Sequence, residues 1–170
     1  RRCREHDWTH VMAQAEIIIA DDALWPEAVS VYNAAIRPKA TPDYFQRHLL
    51  GKHNTLTLIA RLNEPGEAQD RPVGLWIGYE ERPQLFRHWL GVVHPEFRRE
   101  GIARQMQEAE HAWAAENGYD AIRCDAMNRQ REYVAFAIES GFDIIGLRYE
   151  DSRADNMIVF EKSLREDFDD

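Results

Sequence analysis

The stretch Val93-His94-Pro95-Glu96-Phe97-Arg98-Arg99-Glu100-Gly101-Ile102-Ala103 decides the reading of this chain, because it runs from an apolar strand through a basic turn into a helix. A helix start carries N–H groups with no internal partner and about half a positive charge from aligned peptide dipoles, so an anion is favoured there. Gly101 has no Cβ, which lets its backbone approach an anionic oxygen closely, and the small Ala103 keeps the first helical turn accessible on the same side. Arg98, Arg99 and Arg104 surround this point with guanidinium groups, whose planar forks suit phosphate oxygens better than a point charge does. A strand followed by a glycine-containing helix start is common, and arginines often decorate helix ends. The apolar Leu90–Val93 run, the proline two residues later and the long amphipathic helix after the turn single this one out as a cradle for pyrophosphate.

Outward from that turn, Leu85 to Val93 reads as a strand, joined through a Glu81-Arg82-Pro83-Gln84 turn to a strand over Val73 to Tyr79. Strands connected this tightly are expected to be antiparallel neighbours. Upstream, Thr55 to Ala60 alternates and is a third strand, separated by a polar loop over Asn63 to Asp70. Two helices precede it. Asp21 to Ile36 repeats Trp25, Val29, Tyr32 and Ile36 at helical spacing, and Thr41-Pro42-Asp43 opens a short helix to Leu50 with Tyr44, Phe45 and Leu49 inward. The run Ile17-Ile18-Ile19-Ala20 reads as a buried segment at most. Downstream, Ile102, Met106, Ala109 and Trp113 share one face of a helix that stops at Asn117-Gly118. A strand over Asp120 to Asp125, a helix over Gln130 to Ser140 and two strands near Ile144–Tyr149 and Met157–Phe160 complete an α+β order.

At 170 residues, 44% apolar and 30% charged, the chain is expected to form one globular domain over residues 1–170. Its formal net charge of −9 argues against a nucleic-acid partner, which would need a broad basic face. The arginines at 98 to 104 are a local exception and favour a small polyanion. No apolar run approaches the ~20 residues of a membrane span, and no leader pattern opens the chain, so a cytoplasmic protein without membrane partners is expected. The first residue is Arg1 and not Met, which reads as a fragment or a processed product. Cys3 and Cys124 lie far apart without metal or redox spacing and are expected as reduced thiols. His6 and His10 have i, i+4 spacing but no third ligand, so they read as surface residues and no metal is expected.

The central stretch resembles the signature of the GNAT superfamily of acyl-CoA-dependent N-acetyltransferases, a strand followed by V-x-P-x-[FY]-[RQ]-x-x-G-[IL]-[GA] and a helix. Arg98, Gly101 and Ala103 stand at its three defining places, and the element order is similar along nearly the whole chain. The resemblance implies the GNAT fold, a mostly antiparallel mixed sheet flanked by helices, with acetyl-CoA as co-substrate. It implies cofactor contacts from Gly91, Val92 and Val93 on the strand and from Arg98, Arg99, Glu100, Gly101, Ile102, Ala103 and Arg104 at the turn and helix start. In such proteins an Asn after the next strand often contacts the cofactor and a Gly-Phe pair closes the following helix. Asn128 and Gly141-Phe142 correspond, although the interval between them is longer than usual and Asn128 would also serve as a helix N-cap.

The resemblance leaves the catalytic groups open. The family's frequent general acid, a Tyr four residues before that glycine, is Ala137 here; Tyr133 lies one turn earlier and reads as core. The place of a frequent base is Arg87, which cannot take a proton at neutral pH, and the neighbouring His88 reads as packed against a helix. Asp125 and Glu80 at strand ends could pass a proton through water or simply be exposed carboxylates, and His94 reads as a solvated turn residue. Backbone donors near Val93 can stabilise an oxyanion without any side chain. Two readings follow: direct acetyl transfer in a ternary complex to an amine of a small molecule or peptide, or a catalytically silent CoA-binding module. Trp25, Tyr32, Tyr44 and Phe45 are candidate walls of the acceptor site as well as candidate core. The Cys124–Phe142 segment is also similar to first halves of tandem members, which would draw part of the acceptor site from a partner domain or from a second copy in a homodimer.

Overall fold

The computed structural model describes residues 14–63, 70–151 and 155–165, with the Glu150 side chain left aside. Seven strands form one sheet in the order β1-β2-β3-β4-β5-β7-β6. They are β1 Glu16–Ile19, β2 His53–Leu62, β3 Arg71–Arg82, β4 Leu85–Val93, β5 Ala121–Met127, β6 Asp143–Glu150 and β7 Asp155–Ser163. Every neighbouring pair is antiparallel except β4 and β5, which run parallel. This is the mixed, mostly antiparallel α+β arrangement read from the sequence.

Helices α1 Trp25–Ala35 and α2 Pro42–Leu49 cover one face, and α3 Ile102–Glu116 and α4 Arg131–Glu139 the other. Beneath α1 and α2 lies a core of Ala28, Val31, Tyr32, Phe45, Ile59, Leu75, Ile77 and Val92. The larger core under α3 and α4 joins Leu56, Leu58, Trp76, Phe86, Met106, Ile122 and Phe160. The alternation of β3 explains the division, since Leu75 and Ile77 point one way and Trp76 the other. No residue of β5, β6 or β7 belongs to the α1–α2 core, so among the described residues that half of the sheet face carries no helix.

Several expectations need correction. The Ile17–Ile19 run is not an interior segment but part of β1, a short strand at the sheet edge with Ile19 exposed. The helix over Asp21 to Ile36 begins as a separate turn of 3₁₀ helix, Asp22–Leu24, capped by Asp21, because Pro26 suits only the first turn of α1. Tyr44 is exposed and not inward; Phe45 alone is buried in α2, and Tyr44 lies on its edge at 5.2 Å. Most of the loop over Asn63 to Asp70, together with Cys3, His6 and His10, lies outside the described residues. Among the described residues no helix is long and apolar enough to cross a membrane.

Two irregularities shape the middle of the sheet. In the β3–β4 ladder Ile77 opposes Leu90 and Gly78 opposes His88, so Trp89 is an extra residue, a β-bulge that re-aims the strand. Below it Phe86 packs in the α3 core and His88 reaches α3; above it Leu90 and Val92 face α1 while Val93 packs on the α3 side. The β4–β5 ladder holds only three pairs, Leu85↔Ala121, Phe86↔Ile122 and Arg87↔Arg123. Beyond Arg87 the two strands part.

Candidate active site

The parting of β4 from β5 opens a groove of about 700 Å³ that runs from the end of α1, at Ala35 and Ile36, to α3 and α4. Its walls include Gly91, Val92 and Val93 of β4, the turn residues Phe97, Arg98, Arg99 and Gly101, the start of α3 at Ile102, Ala103 and Arg104, and Gln130, Glu132, Tyr133 and Phe136 at α4. Nine of the eleven residues expected from the sequence thus line one space. Glu100 and Asn128 are not on its wall.

The backbone explains the choice of residues at the turn. Gly101 is the N-cap of α3 with φ 80, a left-handed conformation that costs glycine little, and Arg99 holds a left-handed φ of 68 two residues earlier. The first intrahelical bond runs from Gln105 N to Gly101 O, which leaves the N–H groups of Ile102, Ala103 and Arg104 at the groove without helical acceptors. His94 is not merely a solvated turn residue. Its ring accepts from the Glu96 N–H and lies 3.5 Å from an Arg71 nitrogen, which fixes the short 3₁₀ turn Pro95–Phe97.

The strand edge contributes donors as well. His94 N–H donates to Val73 O of β3, so by alternation the N–H groups of Val93 and Gly91 point to the other side, where β5 has parted from β4. Gly91 is also required by its neighbour: a Cβ there would stand 2.6 Å from the Trp76 ring. Trp76 is fixed in turn by Glu110 of α3. The indole Nε1–H donates to Glu110 Oε2 at 2.9 Å, and His88 Nδ1 lies 3.0 Å from Glu110 Oε1. Glu110 is 1% exposed and His88 6%, so the cluster is a buried polar network whose members satisfy one another. His88 therefore packs against a helix as its sequence context suggests.

Tyr133 packs against the α3 core and also lines the groove. Its hydroxyl is hydrogen-bonded to the Cys124 sulfur, and burial holds the phenol well above its ordinary pKa, hence protonated. Burial likewise pushes the Cys124 thiol up to about 12. Gln130, the N-cap of α4, is on the groove wall, its Oε1 accepting from Met127 N–H at 2.8 Å, while Asn128, off the wall, meets β7 through its backbone.

On the opposite face, Arg87 is an ion-pair residue, 2.7 Å from Glu81 and 3.2 Å from Asp125. Glu80 accepts from Tyr119 Oη and Asn54 Nδ2 and is not on the groove wall. The aromatic residues considered as acceptor walls mostly pack on each other, with Trp25 stacked on Phe45 at 5.5 Å and Tyr32 edge-on to it at 5.3 Å. Among the described residues there is no group of three or more His, Cys, Asp or Glu that could hold a metal.

The fold has many solved counterparts. The chain superposes on the ribosomal-protein-S18-alanine N-acetyltransferase from Escherichia coli with a TM-score of 0.72 at 13% identity, covering 92% of this chain and 98% of that one. A GCN5-related N-acetyltransferase from Kribbella flavida gives 0.70 at 18% identity over 88% and 97% of the two chains. The yncA protein of Salmonella typhimurium, solved with its cofactor acetyl-CoA, gives 0.67 at 19% over 91% and 96%. By sequence, no curated protein matches the chain. The model of the Acetyltransferase (GNAT) family matches residues 21–142, well over half the length, and the chain belongs to that family of acetyl-CoA-dependent acetyltransferases.

Proposed function

We propose that this protein is an N-acetyltransferase that binds acetyl-CoA in the β4–β5 groove and passes the acetyl group directly to a primary amine in a ternary complex. One observation carries the reading: unpaired backbone donors of β4, at Gly91 and Val93, and of the α3 start, at Ile102 to Arg104, face one continuous groove. The α3 N–H groups and the guanidinium groups of Arg98, Arg99 and Arg104 hold the pyrophosphate. Trp76 and Gly91 form a flat floor, and Gln130 and Phe136 close the α4 side. An ammonium acceptor first gives one proton to water; when bound, acetyl-CoA supplies a thioester carbonyl at which the resulting neutral amine nitrogen replaces sulfur, giving amide and thiol. The Val93 N–H hydrogen-bonds the oxygen on which charge develops, and the protonated Tyr133 hydroxyl returns a proton to the leaving sulfur. No nucleophilic side chain is needed for this, and the buried Cys124 thiol is too weakly acidic to be one.

The test combines titration calorimetry of acetyl-CoA with thiol release over a panel of primary amines. Binding with turnover of at least one amine is expected, together with a loss of about a hundredfold in kcat for Tyr133→Phe at unchanged acetyl-CoA affinity. Absence of acetyl-CoA binding would overturn the reading.

A further inference from the structure

We infer that Asp125 is the acceptor-binding carboxylate, receiving the ammonium of a primary amine carried on an apolar arm, at the face of the sheet opposite α3 and α4. This rests on the acetyltransferase reading above. Asp125 stands on β5 two residues past the last β4–β5 pair, at the mouth of the parting strands. Its neighbour Cys124 faces the groove side and is bonded to Tyr133, so alternation carries Asp125 to the other side at the same level. The two faces therefore meet at this point of the sheet.

The Asp125 carboxylate is only half committed. Oδ2 pairs with Arg87 at 3.2 Å and Arg148 at 3.5 Å, whereas Oδ1 is buried with no hydrogen-bond partner among the described residues. A buried carboxylate oxygen without a donor is costly in a folded protein, and an ammonium hydrogen is the donor that would satisfy it. The surroundings define the rest of the ligand. Met127 and Met157 oppose each other on the same face, Val159 is paired directly with Asp125, and the bulged Trp89 borders β4 with His48 stacked on it at 3.5 Å. Among the described residues no helix covers this part of the sheet, so a partly exposed apolar strip surrounds one carboxylate. The guanidinium groups nearby, Arg87, Arg123 and Arg148, are engaged by Glu81, Asp125 and Glu161, which leaves the ammonium as the charge this floor receives. An amine on an aliphatic or aromatic arm fits such a floor better than one bearing its own carboxylate.

The test uses 2-phenylethylamine, with 2-phenylethanol and phenylalanine as comparisons, on the full chain saturated with CoA for binding and with acetyl-CoA for turnover. Calorimetry is expected to show 2-phenylethylamine binding and the other two at least tenfold weaker. Asp125→Asn should raise the amine Kd and KM about tenfold or more while the acetyl-CoA Kd stays unchanged. Because Asp125 also holds two arginines, Met157→Lys serves as a second variant: it keeps the Asp125 carboxylate, sets a competing cation on the floor, and should raise the amine KM as well. Equal amine Kd and KM in wild type and both variants would overturn the assignment, as would no amine binding by a protein that binds acetyl-CoA. A wild-type chain that fails to bind acetyl-CoA would instead overturn the function reading and take this inference with it.

Discussion

The two ends of β4 are built on different principles. At Leu85–Arg87 the strand is hydrogen-bonded on both sides, to β3 and to β5. At Gly91–Val93 only the β3 side is paired, and the other edge is open to the groove. An open edge inside a sheet is a liability unless something else holds the strand. Here the substitute is a side-chain network, with Glu110 of α3 reaching under the sheet to Trp76 and His88 on either side of the bulge. The difference teaches that the open end is held from below by buried polar contacts so that its backbone donors stay available for a ligand.

The largest expected effect comes from removing that support. Glu110→Ala leaves the Trp76 indole and His88 ring without their shared acceptor in a buried site, and should cost about 3–5 kcal/mol of stability, read as a lower denaturant midpoint. A variant as stable as the wild type would show that the open end needs no such anchor. Next in size is the cradle itself. Gly101→Val places a β-branched residue at φ 80 on the groove wall and should weaken acetyl-CoA binding by about a hundredfold or more, with an unchanged far-UV circular dichroism spectrum. Unchanged affinity would disconnect the turn from the ligand.

The smallest effect at neutral pH belongs to the closed side of α3. His111 packs at 5.5 Å on the Phe142 ring with its Nε2 buried and without a hydrogen-bond partner among the described residues, and burial lowers its pKa to about 3. The folded state thus prefers the neutral ring. Its contribution is fully present above the unfolded value of about 6.5 and is lost as pH falls from there toward 3, by up to about 1.4 kcal/mol per pH unit. His111→Leu should flatten that part of the stability profile relative to wild type; parallel profiles would contradict the burial argument.

The sequence carried most clearly what the backbone requires. A glycine in a left-handed cap, a proline after the strand and clustered arginines are demanded by local geometry, so the Val93–Ala103 turn was readable residue by residue. The strands β2 to β4 were readable for a similar reason, their alternation matching a sheet buried on both faces in the middle. What depends on pairing between distant segments was not. The three-residue contact of β4 with β5, the Trp89 bulge and the Glu110 network are long-range, and a glutamate on an amphipathic helix gives no sign that it is buried. Tyr44 misled because its helical phase suited a buried stripe, but α2 is short and presents only Phe45 fully to the sheet.

Cys124 has a practical consequence. Its sulfur is 2% exposed as a residue, hydrogen-bonded to Tyr133 and overwhelmingly unionised at neutral pH. Disulfide chromophores react with thiolates, so this position contributes almost no background colour while the chain stays folded. Continuous spectrophotometric monitoring of liberated coenzyme is therefore compatible with it, and a late burst of colour from that site would report unfolding instead of turnover.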